Sequence, residues 1–243
     1  MASHQILYKF YTECVNCALT RKQCPKAWKD RRIGMIPRGF ELPLSRRPKL
    51  LVVGKNPGHP LDEFGECQLY IGKRGKDLLD AWLGWRDHLL KMILATSDDS
   101  LKYHKNRNRY LRFILGHSKR LEPYSEYSRR TLNSDVVMKD YAKIMRSTAM
   151  TNLFKCSTRN ERQKLKASDV APCYNKFFSK EIHLMRPRAI LAFGNEVYEI
   201  LRRLDTERNL PFIVAIKHPS YFYLKQSEAE KLKEIKESLN RCF

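Results

Sequence analysis

Four short apolar runs punctuate the chain, at Lys49–Val53, Ser147–Leu153, Ala189–Phe193 and Phe212–Ile216. Runs of this length, bounded by turn residues, read as buried strands. Between the second and third lies SDVAPCYNKFFSKEIHLM. Ser168 is placed to cap a helix there, and Phe177, Phe178, Ile182 and Met185 recur at roughly helical spacing. After the third run, Gly194 opens NEVYEILRRL, in which Val197, Ile200, Leu201 and Leu204 make one apolar face. A charged terminal helix, SEAEKLKEIKESLNRCF, follows the fourth run and a loop. Strands alternating with helices predict an α/β fold: a three-layer α/β/α arrangement around a mostly parallel four-stranded sheet.

Ligands of such sheets bind beyond the carboxyl ends of the strands. The sequence places polar groups at those ends. The first strand runs into Gly54-Lys55-Asn56-Pro57-Gly58, and the second closes on Thr151-Asn152. The third meets Gly194, and the fourth leads to His218-Pro219-Ser220. All four segments are expected on one edge of the domain.

From Trp85 to about Tyr141 the pattern loses its regularity. Lys102 to Arg130 carries nine Lys or Arg and two Glu, with Tyr103, Tyr110, Phe113, Tyr124 and Tyr127 interleaved. This basic insertion, at about 86–145 of a single domain spanning 1–243, reads either as a solvated helical excursion or as a surface for nucleic acid, which cations and stacking rings suit. Lys105, Arg107, Arg109 and Arg112 are its candidate contacts to a DNA backbone. No repeat or low-complexity linker breaks the chain.

Composition sharpens the second option. Lys plus Arg number 47 against 26 Asp plus Glu, a net charge of +21. A field of that sign attracts a polyanion, and nucleic acid is the commonest one; an acidic protein or membrane surface is the plainer alternative. Hydrophobic residues make up 42% of the chain, enough for a packed core. No apolar run approaches the roughly 18 residues of a membrane span. The N-terminal MASHQILYKFYTEC lacks the apolar centre of a signal peptide. The protein is therefore expected to be cytoplasmic, without membrane contact, and to work as a monomer.

Seven cysteines in a reducing compartment point away from a disulfide framework. Cys14 and Cys17 form a C-x-x-C pair, and sixteen residues separate Cys156 from Cys173. Four thiolates suit zinc or an iron–sulfur cluster, although zinc more often takes two close pairs. Cys24, Cys67 and Cys242 look spare.

The chain resembles the uracil-DNA glycosylase superfamily, most closely its iron–sulfur (family 4-like) branch. The resemblance rests on four motifs in order: VGKNPGHPLDEFGECQLYIGKRGKDLLD, TNLFKCSTRNER, RPRAILAFGNEVYEIL and HPSYFY. It covers residues 10 to 84 and 147 to 224. The register of Cys14, Cys17, Cys156 and Cys173 is similar to that of the branch's cluster ligands, which implies a structural 4Fe-4S cluster, with zinc as the alternative.

The resemblance implies a monofunctional DNA glycosylase. Such an enzyme flips a base from single- or double-stranded DNA and hydrolyses its N-glycosidic bond, leaving an abasic site. Asn56 would hold the water and His218 would stabilise charge on the departing base. Asn152 would read the base edge, Tyr70 would stack on it, and Gly54 and Lys55 would line the pocket. Gly58 and Ser220 would meet phosphates, and Tyr221 to Leu224, with Tyr221 and Tyr223 foremost, would fill the gap left in the duplex. The branch keeps Glu directly after the first glycine of its loop; Lys55 here moves the water-holding role to Asn56 and opens a lysine nucleophile as a further option. An amide at 152 can pair with uracil or, rotated, with cytosine, so the expected base is uracil or a modified cytosine such as a hypermodified phage base. The alternatives are a catalytically weak or inactive iron–sulfur DNA-binding module, or a zinc-stabilised nuclease. A nuclease would normally cluster carboxylates for metal ions, and Asp62-Glu63 is the only pair near the strand-end residues.

Overall fold

The computed structural model describes residues 2–17, 23–29, 37–41, 44, 47–58, 65–95, 102–158, 160, 163–206, 209–220 and 227–243. Strands β2 (Leu50–Gly54), β3 (Thr148–Asn152), β4 (Ala189–Phe193) and β5 (Phe212–Ile216) fall where the apolar runs predict them. All four are mutually parallel where they pair. Among the described residues the sheet has five strands rather than four, in the order β1-β3-β2-β4-β5. The added strand, β1 (Phe40–Glu41), pairs antiparallel with β3. Two residues make no hydrophobic run, so pattern alone misses β1. Tertiary packing fixes it: Phe40 is buried, and its ring stacks on Tyr11 at 3.9 Å between centroids.

The sheet is buried on both faces, which explains its continuous apolar strands. Along β2 the side chains alternate. Leu51 and Val53 join one core with α1 (Ala2–Val15), α2 (Gly75–Ala95), α6 (Ala167–Cys173), α7 (Ser179–Met185) and α8 (Asn195–Leu204). Leu50 and Val52 join the other with α3 (Lys102–Ile114), α5 (Ser134–Ser147) and α9 (Glu228–Asn240). The result is the expected three-layer α/β/α order. In α8, Val197, Ile200 and Leu201 are buried, as their spacing predicts. The α6 start differs from expectation: Ser168 lies inside the first turn, and the Lys166 N–H donates to the Asp169 carboxylate at 2.9 Å.

The segment expected to be irregular is helical. It contains the end of α2, then α3, α4 (Tyr124–Arg130) and α5. Its alternating charges obscure an apolar stripe in which Tyr110, Phe113 and Ile114 reach the core. Among the described residues no helix is long and apolar enough to cross a membrane.

Candidate functional site

Parallel register brings the expected segments to one edge. Gly54 pairs with Asn152 across β2 and β3, and Phe193 with Ile216 across β4 and β5. The turn after β2 is tied to the exit from β3 by hydrogen bonds from Leu153 N to Gly54 O and from Phe154 N to Lys55 O, at 3.0 and 2.9 Å. Gly194, at φ 97°, makes the bend after β4 and donates to Ile216 O at 2.7 Å. The positive φ suits a residue without a Cβ.

Asn152 is held by shape. A Cβ on Gly54 would come within 2.2 Å of the Asn152 Oδ1, and one on Gly39 within 3.0 Å of its Cβ and Nδ2. Two glycines thus clamp the amide on either side, and the Asn152 N–H donates to Gly39 O at 2.6 Å. Gly54→Ala should therefore push the Asn152 side chain out of place. If Asn152 reads the base edge, as the resemblance implies, base release by the variant falls at least about tenfold, since angstrom-scale misplacement of a contact group carries penalties of that order or more. Single-turnover assays with a cleavable oligonucleotide measure it.

Asn56 is oriented by a relay. The Thr158 hydroxyl donates to Asn160 O at 2.8 Å and so offers its lone pairs to the Asn56 Nδ2 at 3.2 Å. That assignment leaves Oδ1 as the amide's acceptor at the strand-end edge.

His218 is half-buried. Its Nδ1 accepts from the Ser220 N–H at 3.3 Å, so the neutral ring carries its proton on Nε2. Burial first, and then the nearby Lys55 ammonium, pull its pKa from the ordinary 6.5 down to about 4. At neutral pH it is an uncharged N–H donor. Lys217 and Ser220 beside it are exposed.

The other expected residues are placed unevenly. The Lys55 Nζ donates to Gln163 O at 2.9 Å and pairs with Glu196 at 3.4 Å. The Gly58 carbonyl is engaged by Arg38 and by the Ser157 hydroxyl. Tyr221 and Tyr223, like Leu224, Asp62 and Glu63, lie outside the described residues. Tyr70 corrects its expectation. It is 2% exposed, and its hydroxyl donates to Glu66 at 2.7 Å, where Glu66 also pairs with Arg38 at 2.6 Å. A ring packed into that buried group offers no open face to a base in this arrangement.

The basic contacts expected on α3 are corrected as well. Lys105, Arg107 and Arg109 are buried, and their charges are met inside the protein. The Lys105 Nζ donates to the Ser128 hydroxyl at 3.0 Å, Arg107 pairs with Glu41 at 3.4 Å, and Arg109 with Glu228 at 2.8 Å. Arg112 pairs with Asp140, which Arg130 also meets at 2.9 Å. Buried cations require such partners, and Lys105, Arg107 and Arg109 are covered from a phosphate, whereas Arg112 is half-buried and engaged by Asp140. Instead α3 faces the strand ends. Tyr103 stacks on His218, and the Asn106 amide donates to Pro219 O at 3.0 Å. In the sequence Tyr103 stands out only as one of the interleaved rings suited to nucleic acid, and Asn106 does not stand out. The signal that could have found them is the i, i+3, i+4, i+7 spacing of Tyr103, Asn106, Arg107 and Tyr110.

A separate cavity gathers sulfur. Cys17, Cys24, Cys156 and Cys173 line it together with Phe154 and Lys155. Cys14 is fully buried beside them. Cys24, which looked spare, therefore belongs to the group, while Cys67 and Cys242 do not line the cavity. The Lys155 N–H donates to the Cys173 Sγ at 3.4 Å. Burial pushes the Cys14 and Cys156 thiols well up, Cys173 up to about 12 and Cys24 up to about 11; the Lys155 ammonium opposes this at Cys14 and Cys173. Soft donors, an apolar wall and a buried cation suit a thiolate-bound metal group.

The layered sheet and its polar strand-end edge define an α/β protein of the class whose ligands generally bind beyond the strand termini. The family model for the Uracil DNA glycosylase superfamily matches residues 44–241, and the chain belongs to that superfamily. Its members are in general DNA glycosylases, hydrolases that act on DNA. A comparison with curated proteins finds no match.

Proposed function

We propose that this protein is a monofunctional DNA glycosylase that flips a pyrimidine-type base, uracil or a modified cytosine, and hydrolyses its N-glycosidic bond. The observation that carries the reading is the geometry of His218 at the strand-end edge: its Nδ1 accepts from the Ser220 N–H, which puts the proton of the neutral ring on Nε2 as a donor. As the glycosidic bond breaks, negative charge grows on the base, and a preorganised donor stabilises it without completing a proton transfer. Asn56 Oδ1 accepts from the water that attacks the sugar carbon. The clamped Asn152 amide reads the base edge. Exposed Ser220 and Lys217 meet the backbone phosphates near the flipped nucleotide.

Cys14, Cys17, Cys156 and Cys173 hold a structural 4Fe-4S cluster on this reading, with zinc as the alternative. Three of the four, Cys17, Cys156 and Cys173, line one cavity, and Cys14 is buried close to Cys156 and Cys173, which supports it; Cys24 lines the same cavity. The cluster would pin the N-terminal segment against the chain that leaves β3. Iron and sulfide content of anaerobically purified protein tests this, and stoichiometric zinc without sulfide would overturn it.

The activity test is a panel of oligonucleotides carrying uracil, hypoxanthine, mismatched thymine or modified cytosines. The expected product is an intact strand with an abasic site, cut only by later alkali. No cleavage of any member by a protein that still binds DNA would favour a binding module instead.

A further inference from the structure

The region that looks like a basic appendage in the sequence packs directly behind His218. The Tyr103 ring lies against the imidazole with centroids 5.2 Å apart and planes 28° from parallel. The same ring meets Phe193, at the end of β4, edge-on at 6.4 Å. The Arg107 guanidinium stands 5.9 Å over Tyr103 and is tied to Glu41 of the edge strand. Glu41 in turn accepts from the Tyr141 hydroxyl at 2.5 Å. One turn along the helix, the Asn106 amide is fully buried. Its Nδ2 donates to Pro219 O at 3.0 Å, and its Oδ1 accepts from the Arg109 Nε at 2.9 Å. Arg109 is anchored to Glu228 at the start of α9. Two side chains of one helix therefore hold the two residues that determine where the imidazole points.

We infer that α3 is the positioning element of the His218 turn, with Tyr103 setting the plane of the imidazole and Asn106 the backbone at Pro219. This rests on the reading of His218 as donor to the departing base. The physical logic is preorganisation: a donor helps most when its direction is fixed before charge develops. An imidazole held only by its own backbone rotates about two side-chain bonds. A ring packed on one face, with its next residue pinned through a carbonyl, does not. The stack also keeps water from that face and so favours the neutral ring.

The groups facing His218 are Lys55 from the turn after β2 and Tyr103 from α3, with His104 and Arg107 behind Tyr103. Lys217 precedes it on its own segment and is exposed. Burial and Arg107 pull His104 itself down to about 3, so it adds no charge near neutrality. Burial first and then the Lys55 ammonium hold the titration down, so loosening the stack, which exposes the ring, moves the imidazole toward its ordinary titration.

The test uses the full-length protein with Tyr103→Phe and Tyr103→Leu. It reads the titration of the His218 Cε1 proton by NMR and the pH profile of single-turnover base release. Tyr103→Leu should raise the His218 titration toward 6.5 and bring an acid inflection into the pH 5–7 range. At pH 6 it should slow release by about tenfold or more, while DNA affinity stays within about twofold because phosphate contacts supply most of it. Tyr103→Phe keeps the ring and should match the wild type in both. Unchanged titration and profile in Tyr103→Leu would overturn the inference, as would a His218 in the unmutated protein that titrates near 6.5. The second measurement needs no variant to fold. If His218→Ala leaves base release intact, the donor role is wrong; the NMR arm still decides whether Tyr103 holds the ring.

Discussion

His218→Ala and Asn56→Ala should each slow single-turnover base release by about a hundredfold or more, the usual scale for one preorganised polar group at a site of developing charge. DNA affinity should barely change, because phosphate contacts dominate it. The two variants fail for different reasons. His218→Ala removes the Nε2–H donor that the Ser220 N–H fixes in place. Asn56→Ala removes the acceptor that Thr158 orients. Their pH behaviour should also differ from that of an exposed histidine. Because the folded protein holds His218 near 4, wild-type release should stay flat through pH 6.5 and fall only as pH approaches 4. The sign for stability agrees. Between 6.5 and 4 the unfolded chain binds the proton and the folded one does not, so this contribution is complete above 6.5 and is lost as pH falls through that window. Lys55→Ala, by contrast, should leave the strand intact and the base still released. A borohydride-trapped adduct that Lys55→Ala abolishes would make lysine the nucleophile and end the water-based reading.

The second large effect concerns stability. Glu181→Leu should cost about 3 to 5 kcal/mol, the range for leaving one member of a buried ion pair unmatched. Lys155 and Glu181 pair at 1% and 0% exposure. Glu181 also accepts from the Tyr11 hydroxyl at 2.8 Å and the Thr151 hydroxyl at 2.9 Å. The Lys155 ammonium donates to Asn152 O at 2.8 Å, and its backbone N–H reaches Cys173. The pair therefore links α1, α7, the end of β3 and the sulfur-lined cavity. Urea denaturation of the purified protein measures the loss. The double variant Lys155→Met with Glu181→Leu should recover much of it, because no uncompensated charge then remains. Equal stability of the single variant and the wild type would mean that water reaches Lys155.

The same contrast governs what was legible beforehand. The role of Tyr70 rests on the resemblance and that of the α3 cations on charge density among aromatic rings, and neither reports burial. An Arg in a basic run reads as a phosphate contact until a carboxylate far along the chain, such as Glu41 or Glu228, is found beside it. Cys24 looks spare in the sequence, whereas the folded chain places it in one cavity with Cys17 and with Cys156 and Cys173, which lie far along the sequence.

By itself the sequence determined the four main strands, the helices α8 and α9, and the convergence of Asn56, Asn152 and His218 on one edge. These follow from local rules: apolar runs bounded by glycine and proline, helical spacing, and the fixed direction of parallel strands. Only the tertiary structure decided the short strand β1, the burial of Tyr70, and the turning of α3 toward His218. Those depend on partners distant in sequence, where a charged or aromatic side chain is stable inside only if another element supplies its counterpart.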